Sequence, residues 1–300
     1  MQYLTDHRAR LRMDPRNLLP SARSLICTGK LYNGPQPYSN AFNDQELGWI
    51  SRYAWGHDYH DVVRRGLDEL VQCLQSEFGS FEFRTCVDTA PLLERSYAAR
   101  AGLGWIGKNT CLINQAGGSW FFLGELLVSH EFPPDDPVPD RCGTCTRCID
   151  ACPTGALVRD GARYALDARL CISYFTIELR GSVPEPMREH VTHHVFGCDI
   201  CQDVCPWNIG APVTAEAQFQ AVHDTPRLDR MAALTEQEFR EMFRGSPVKR
   251  ARYEGFLRNV IVAMGNARRL EFREPLQRLA EHPLALVAGH ARWALAQLER

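Results

Sequence analysis

From residue 58 the chain reads DYHDVVRRGLDELVQCLQSEF, with apolar side chains at Val62, Val63, Leu67, Leu70, Val71 and Leu74. Spacings of one, three and four keep returning to one face of a 3.6-residue turn, so the stretch predicts an amphipathic helix. On either side the pattern shortens. SARSLICTG (21–29) and FEFRTCVD (81–88) are brief runs with β-branched and aromatic content and predict strands. SWFFLGELLVS (119–129) is apolar almost throughout, which leaves a core strand and a buried helix both open. PLLERSYAARA (91–101) reads as a helix. EFPPDDPVPD (131–140) holds four prolines and four acids, which predicts a boundary. Beyond about residue 226 the pattern is helical throughout, in RYEGFLRNVIVAMGNARRL, EPLQRLAEH and ALVAGHARWALAQLER, with a His-Pro turn at 282 and 283.

Strands mixed with helices in the first part and helices alone in the last place the chain in the α/β or α+β class. Its 300 residues, 45% of them apolar, can bury a substantial core and point to more than one domain. The formal charge of -2 gives no global push toward nucleic acid or anionic membrane, so such a partner must be met by a local patch. MQYLTDHRARLRMDPRNLL is charged throughout and lacks the apolar core of a secretory signal, and no run approaches ~18 apolar residues. The expectation is a soluble, cytoplasmic chain with no membrane partner, in which twelve cysteines argue for metal rather than disulfides.

Eight of those cysteines fall into a pattern. Cys142, Cys145, Cys148 and Cys152, followed by Pro153, spell C-x2-C-x2-C-x3-C-P, the bacterial ferredoxin run. Cys198, Cys201 and Cys205 before Pro206 repeat it with one cysteine missing, which Cys171 can supply. In such runs the cysteine before proline reaches the other cluster. The expected ligand sets are therefore Cys142, Cys145, Cys148 and Cys205 for one [4Fe-4S] cluster, and Cys152, Cys171, Cys198 and Cys201 for a second. Structural zinc also uses C-x2-C pairs, but the four-cysteine run, the prolines and the total of eight favour iron and sulfur. Cys27, Cys73, Cys86 and Cys111 sit among apolar neighbours and read as buried thiols. His190, His193 and His194 read as solvated histidines at a helix end rather than as a metal site.

Charge in the helical tail is uneven. Between 240 and 273, Arg240, Arg244, Lys249, Arg250, Arg252, Arg258, Arg268, Arg269 and Arg273 stand against Glu241, Glu254 and Glu271, a local balance of +6. Either a solvated helix face or an RNA backbone site accounts for this, and Lys249, Arg250 and Arg252 are the candidate contacts. AGLGWIGKNT (101–110) matches G-x-G-x-x-G and nearly matches a P-loop. A dinucleotide fingerprint must follow a strand, and this one follows a predicted helix; a P-loop needs Ser or Thr where Asn109 stands. The glycines indicate backbone brought close to something bulky.

The ferredoxin run with its late Cys-Pro motifs, together with RYAWGHDYH, CVDTAPLLERSYAARAGLGWIGKNTCLI, GSWFFLGELL and CISYFTIE, resembles the epoxyqueuosine reductases, cobalamin-dependent iron-sulfur enzymes of tRNA modification. The resemblance runs from about residue 12 to the end. It implies an α+β chain with a nitroreductase-like cobalamin-binding domain over 1–135, a two-cluster ferredoxin domain over 136–210 and a helical HEAT-like, tRNA-binding region over 211–300. The family usually carries several dozen further residues ahead of the stretch matching MQYLTDHRARLRMDPRNLLP, so the expectation is either that part of the N-terminal fold is missing here or that the start codon is misassigned. The implied activity is reduction of the epoxide of epoxyqueuosine in the tRNA anticodon loop, the last step of queuosine formation. The implied partners are that tRNA and a low-potential donor such as a ferredoxin or flavodoxin, and the implied state is a monomer.

By the same resemblance Asp88 is the proton donor, with Asp58 and His60 beside it. Ser51, Lys108, Asn109, Asn114 and Ser173 are the implied contacts to base-off cobalamin. At Ser51 some relatives carry a cysteine. The D-x-H-x-x-G signature of a lower-face histidine is absent, so cobalamin is implied by resemblance alone. Asp88 also reads as a helix cap, because Thr-Ala-Pro follows it. A general acid there needs to keep its proton near neutral pH, which burial would favour. Two rivals share part of this pattern. A reductive dehalogenase would carry a twin-arginine export signal and need no basic tail, and an electron carrier would not need the roughly 130 residues ahead of the clusters.

Overall fold

Along the chain the first of two units runs through β1 (Ser24–Leu31), α1 (Tyr59–Phe78), β2 (Phe83–Cys86), α2 (Glu94–Arg100), β3 (Trp105–Ile106), β4 (Leu112–Ile113) and β5 (Phe121–Val128). It comprises Met1–Asn33, Asp58–Cys145 and Pro206–Gln218. The computed structural model describes residues 6, 8–35 and 37–300. The run SWFFLGELLVS resolves as the central strand of an antiparallel sheet ordered β1-β5-β2. A strand flanked on both edges and covered on both faces must be apolar at nearly every position, which is why alternation was lost there. Its register sets Cys27 of β1 and Cys86 of β2 opposite Glu125 of β5.

Helix α1 lies on the other face. A Cβ at Gly124 would stand 2.6 Å from Val63 Cγ1, so only glycine lets the helix seat on the sheet. Its N-cap is Asp58, whose carboxylate accepts from the backbone N–H of His60, and Gly79 with φ of 80° ends it. The segment 131–140 forms no element.

The second unit comprises Gly34–His57, Thr146–Cys205 and Phe219–Arg300. Its core is built on α3 (Arg252–Ala267), buried at every position from Gly255 to Gly265. Helices α4 (Arg273–Ala280) and α5 (Ala285–Gln297) follow, and a Cβ at Gly265 would meet Trp293 Cζ3 at 2.7 Å, so α5 crosses α3 at a glycine. Among the described residues no helix is long and apolar enough to cross a membrane.

Several expectations are corrected. His194 lies on the strand His194–Phe196, fully buried, and pairs in parallel with Trp49–Ile50. Burial pushes His193 down to about 4 and His194 to about 3, so both are neutral; His193 is partly buried and only His190 is exposed. The following Val-Phe pair was the strand signal. Cys73 is exposed, and of the four extra cysteines only Cys86 is fully buried. Arg258 leaves the basic face entirely: it is 0% exposed and donates to main-chain carbonyls. Arg240, Arg250, Arg269 and Arg273 are each paired with a glutamate. At least five of the nine positive charges are thus committed within the protein.

Candidate active site

The sequence Asp58-Tyr59-His60 starts α1, and the helix cap folds the imidazole back onto its own capping residue. His60 Nδ1 lies 2.6 Å from Asp58 Oδ1, and Nε2 lies 3.3 Å from Asp88 Oδ2. Tyr59 stacks on Phe122 at 4.2 Å between ring centroids, which fixes the turn. The hydrogen bond to Asp58 and then that to Asp88 push His60 up to about 9, against the effect of burial. The imidazole therefore carries a proton at neutral pH, held between two carboxylates.

Asp88 sits just beyond β2 with φ of 47°, in the left-handed region that non-glycine residues seldom adopt. The helix-cap alternative fails, since the N-cap of α2 is Leu93 with no side-chain cap. The expected burial is also absent, because the Asp88 side chain is 56% exposed. What keeps a proton at this site is His60, three-quarters buried behind it. Sequence reasoning passed over Glu94 and Glu125, which lie beneath the same loop; a glutamate inside FFLGELLV was the available signal.

The cysteines are surrounded by donors. In the first unit, the backbone N–H of Lys108 points to the sulfur of Cys142 and the Trp105 indole lies beside it, while Lys108 Nζ donates to the carbonyls of Gly143 at 2.7 Å and Cys145 at 2.9 Å. The AGLGWIGK glycines make this possible. A Cβ at Gly104 would fall 2.3 Å from the Ile113 carbonyl oxygen, so the bulky neighbour is the hairpin partner β4, and the preceding α2 rules out a dinucleotide fingerprint.

In the second unit Cys152, Cys171 and Cys198 lie close enough to oppose one another's ionisation. Burial pushes the Cys171 and Cys198 thiols up, and the neighbouring Ser173 and Tyr174 at Cys171 and the N–H of Ile200 at Cys198 oppose that. Cys152 Sγ accepts from the N–H of Ala156 at 3.3 Å. Cys201 is half-buried on the short helix Ile200–Asp203, Cys148 is half-buried, and Cys205 is buried. A neutral thiol has little use for several N–H donors, whereas an iron-bound thiolate is stabilised by them, so the donor sets fit [4Fe-4S] clusters. Among the described residues no three His, Cys, Asp or Glu converge on a single ion. Cluster thiolates need not converge, since each binds its own iron.

The segment after Cys171 is a π-type turn, Tyr174–Glu178, pinned from α3. Arg258 donates to the carbonyls of Phe175, Leu179 and Gly181, while Asn259 Nδ2 donates to those of Thr176 at 2.8 Å and Val195 at 2.9 Å.

The five implied cobalamin contacts spend polar atoms on the protein. Ser51 is buried and donates to Asp199, which also accepts from Trp49 Nε1 and the N–H of Arg52. Asn109 Oδ1 accepts from Cys111, and Asn114 closes its own turn through Ala116, Gly117 and the Leu103 carbonyl. Lys108 and Ser173 serve cysteine loops.

Residues 12–89 match the family model described as Epoxyqueuosine reductase QueG, DUF1730, and residues 141–208 match the 4Fe-4S double cluster binding domain. The epoxyqueuosine reductase of Xanthomonas campestris pv. campestris is 43% identical, over 99% of this chain and 84% of that protein. The one from Pseudomonas aeruginosa is 42% identical, over 98% of this chain and 82% of its own. A crystal structure of epoxyqueuosine reductase with an epoxyqueuosine-modified tRNA-Tyr stem loop superposes with a TM-score of 0.86 at 32% identity, covering 95% of this chain and 76% of that one. A Bacillus subtilis epoxyqueuosine reductase whose aspartate catalytic loop is swung out of the active site gives 0.86 at 31% identity, covering 97% and 77%.

Proposed function

This chain belongs to the epoxyqueuosine reductase family, and we propose from that premise that it reduces the epoxide of epoxyqueuosine in tRNA to the alkene of queuosine. Both carbon-oxygen bonds of the epoxide break, two electrons are consumed, and two protons leave with the oxygen as water. The electrons come from bound groups: two [4Fe-4S] clusters, one on Cys142, Cys145, Cys148 and Cys205 and the other on Cys152, Cys171, Cys198 and Cys201, and, by family resemblance, cobalamin. The residues of this chain handle the protons.

The observation that carries the reading is the placement of His60 between two carboxylates, 2.6 Å from Asp58 and 3.3 Å from Asp88. Asp58 fixes the ring through Nδ1, leaving Nε2 at ion-pair distance, 3.3 Å, from the Asp88 carboxylate. Asp88, open to solvent on its other side, delivers the proton to the departing oxygen and is resupplied from His60. A related enzyme builds its catalytic loop around an aspartate, in keeping with this role. Lys249, Arg250 and Arg252 are proposed to meet the tRNA backbone, Arg250 after giving up Glu178. The protein would act as a cytoplasmic monomer fed by a ferredoxin or flavodoxin.

The test is Asp88→Asn, which keeps size and hydrogen bonding but cannot pass a proton. Turnover should fall by a factor on the order of 10² to 10⁴ with iron content and tRNA affinity kept. An active variant removes Asp88 from the reaction.

A further inference from the structure

The stretch GLGWIGK sets a tryptophan on a strand only two residues long. Across the hairpin of β3 and β4, Trp105 pairs with Ile113 and Ile106 with Leu112. Successive side chains of a strand point to opposite faces, so Ile106 is 43% exposed while Trp105 turns inward and is 4% exposed. The indole packs edge-to-face against Trp207, with 5.0 Å between centroids and 78° between planes. Trp207 is held in turn by its neighbour on the short turn Pro206–Asn208. Asn208 Oδ1 accepts from the N–H of Ser119 at 2.7 Å, and Nδ2 donates to the Ser119 hydroxyl at 2.9 Å.

The ring is therefore fixed, and its polar atom is not satisfied by the protein. Trp105 Nε1 is buried, and no oxygen or sulfur of the described residues accepts its hydrogen in hydrogen-bond geometry. An indole N–H can only donate, and burying a donor without an acceptor costs free energy. The surroundings name the acceptor. Lys108, three residues further on, holds the carbonyls of Gly143 at 2.7 Å and Cys145 at 2.9 Å, which sets this hairpin against the first cysteine loop. The indole lies beside the sulfur of Cys142. Trp207, the ring it leans on, follows Cys205 by two residues.

We propose that the indole N–H of Trp105 is a hydrogen-bond donor to the sulfurs of the cluster bound through Cys142, and that it raises the reduction potential of that cluster. This rests on the reading of Cys142, Cys145, Cys148 and Cys205 as one ligand set. Iron-bound thiolates and bridging sulfides are stronger acceptors than a neutral thiol, and hydrogen bonds to them are among the levers that set a cluster's potential. The electron added on reduction increases the negative charge on the sulfurs, so a fixed donor stabilises the reduced cluster more than the oxidised one. The positive charge of Lys108, tied to the same loop, acts in the same direction. The cluster is thereby easier to load with the single electron that a ferredoxin or flavodoxin delivers. A packing role would ask only for an aromatic ring between the loop and water, and any ring of that size would serve.

Trp105→Phe keeps a ring against Trp207 and removes the N–H. In a redox titration of anaerobically prepared protein followed by electron paramagnetic resonance, the cluster signal that Cys142→Ser alters should move to a more negative potential in Trp105→Phe. The other signal should stay in place, with iron kept at about eight per chain. Trp207→Phe changes the stack but not the donor and should leave both potentials where they were. A direct reading needs no substitution. With the heavy nitrogen isotope placed in the indoles, the reduced native protein should show a nitrogen hyperfine coupling to that cluster, lost in Trp105→Phe and kept in Trp207→Phe. An unshifted potential in iron-replete Trp105→Phe, an equal shift in Trp207→Phe, or no indole coupling in the native protein overturns the proposal, and the last is read even if Trp105→Phe does not fold. If Cys142→Ser leaves both signals unchanged, the ligand assignment itself has failed and the proposal falls with it.

Discussion

Replacing Asn259 by leucine keeps the volume of the side chain and removes its hydrogen bonds. In the structure Asn259 Nδ2 is the donor to two buried carbonyls, Thr176 at 2.8 Å and Val195 at 2.9 Å, and its Oδ1 accepts from Nε and Nη2 of the buried Arg258. Each buried carbonyl left without a donor costs about 1–3 kcal/mol, and a guanidinium deprived of an acceptor costs a similar amount. The expected destabilisation is about 4 kcal/mol, a large part of the 5–15 kcal/mol typical of a folded domain. The damage should be local first. Thr176 follows Cys171 by one turn and Val195 precedes Cys198 by three residues, so both strands of support for the second cluster loosen together. Iron analysis after anaerobic purification should fall from about eight per chain toward about four, alongside a lower urea midpoint. Asn266→Leu is the control, because Asn266 Nδ2 makes two comparable bonds, to Arg188 and Thr192 at 2.9 Å each, on the same helix. That variant should lose stability and keep its iron. Full iron content in Asn259→Leu, or equal iron loss in both, would refute the reasoning.

His60 titrates above its ordinary value, so its ion pairs contribute stability that is fully present below pH 6.5 and is lost as pH rises through about 9. The melting temperature of the native protein relative to His60→Gln should therefore shrink across that window, by the equivalent of about 2–3 kcal/mol, and a constant difference would show that His60 is not held charged. Cys152→Ser should damage the cluster shared with Cys171, Cys198 and Cys201 while sparing the one bound by its sequence neighbours; electron paramagnetic resonance of the reduced protein distinguishes that outcome from the uncrossed pairing.

Where the sequence carried a period, it was enough. Helix α1 and the three helices of the tail follow apolar spacing, and the cysteine spacing announced the clusters before any geometry was known. What stayed hidden depends on distant partners. Arg258 reads as one more positive charge in a basic window, and only the fold shows it reaching carbonyls some eighty residues away. Lys108 has a use that its glycine-rich motif did not announce: its Nζ holds the carbonyls of Gly143 and Cys145 in the cysteine loop. The surroundings of Glu125 needed the strand register, which sets Cys27 and Cys86 on either side of it.

The account stands most directly on turnover of the modified nucleoside. Anaerobically prepared protein with its clusters intact, supplied with cobalamin and a low-potential reductant, would be incubated with tRNA bearing epoxyqueuosine, and the digested nucleosides followed by mass spectrometry. Conversion of epoxyqueuosine to a product lighter by one oxygen atom, absent or strongly slowed in Asp88→Asn, is the predicted result; unaltered epoxyqueuosine in the presence of fully loaded protein and reductant would contradict it.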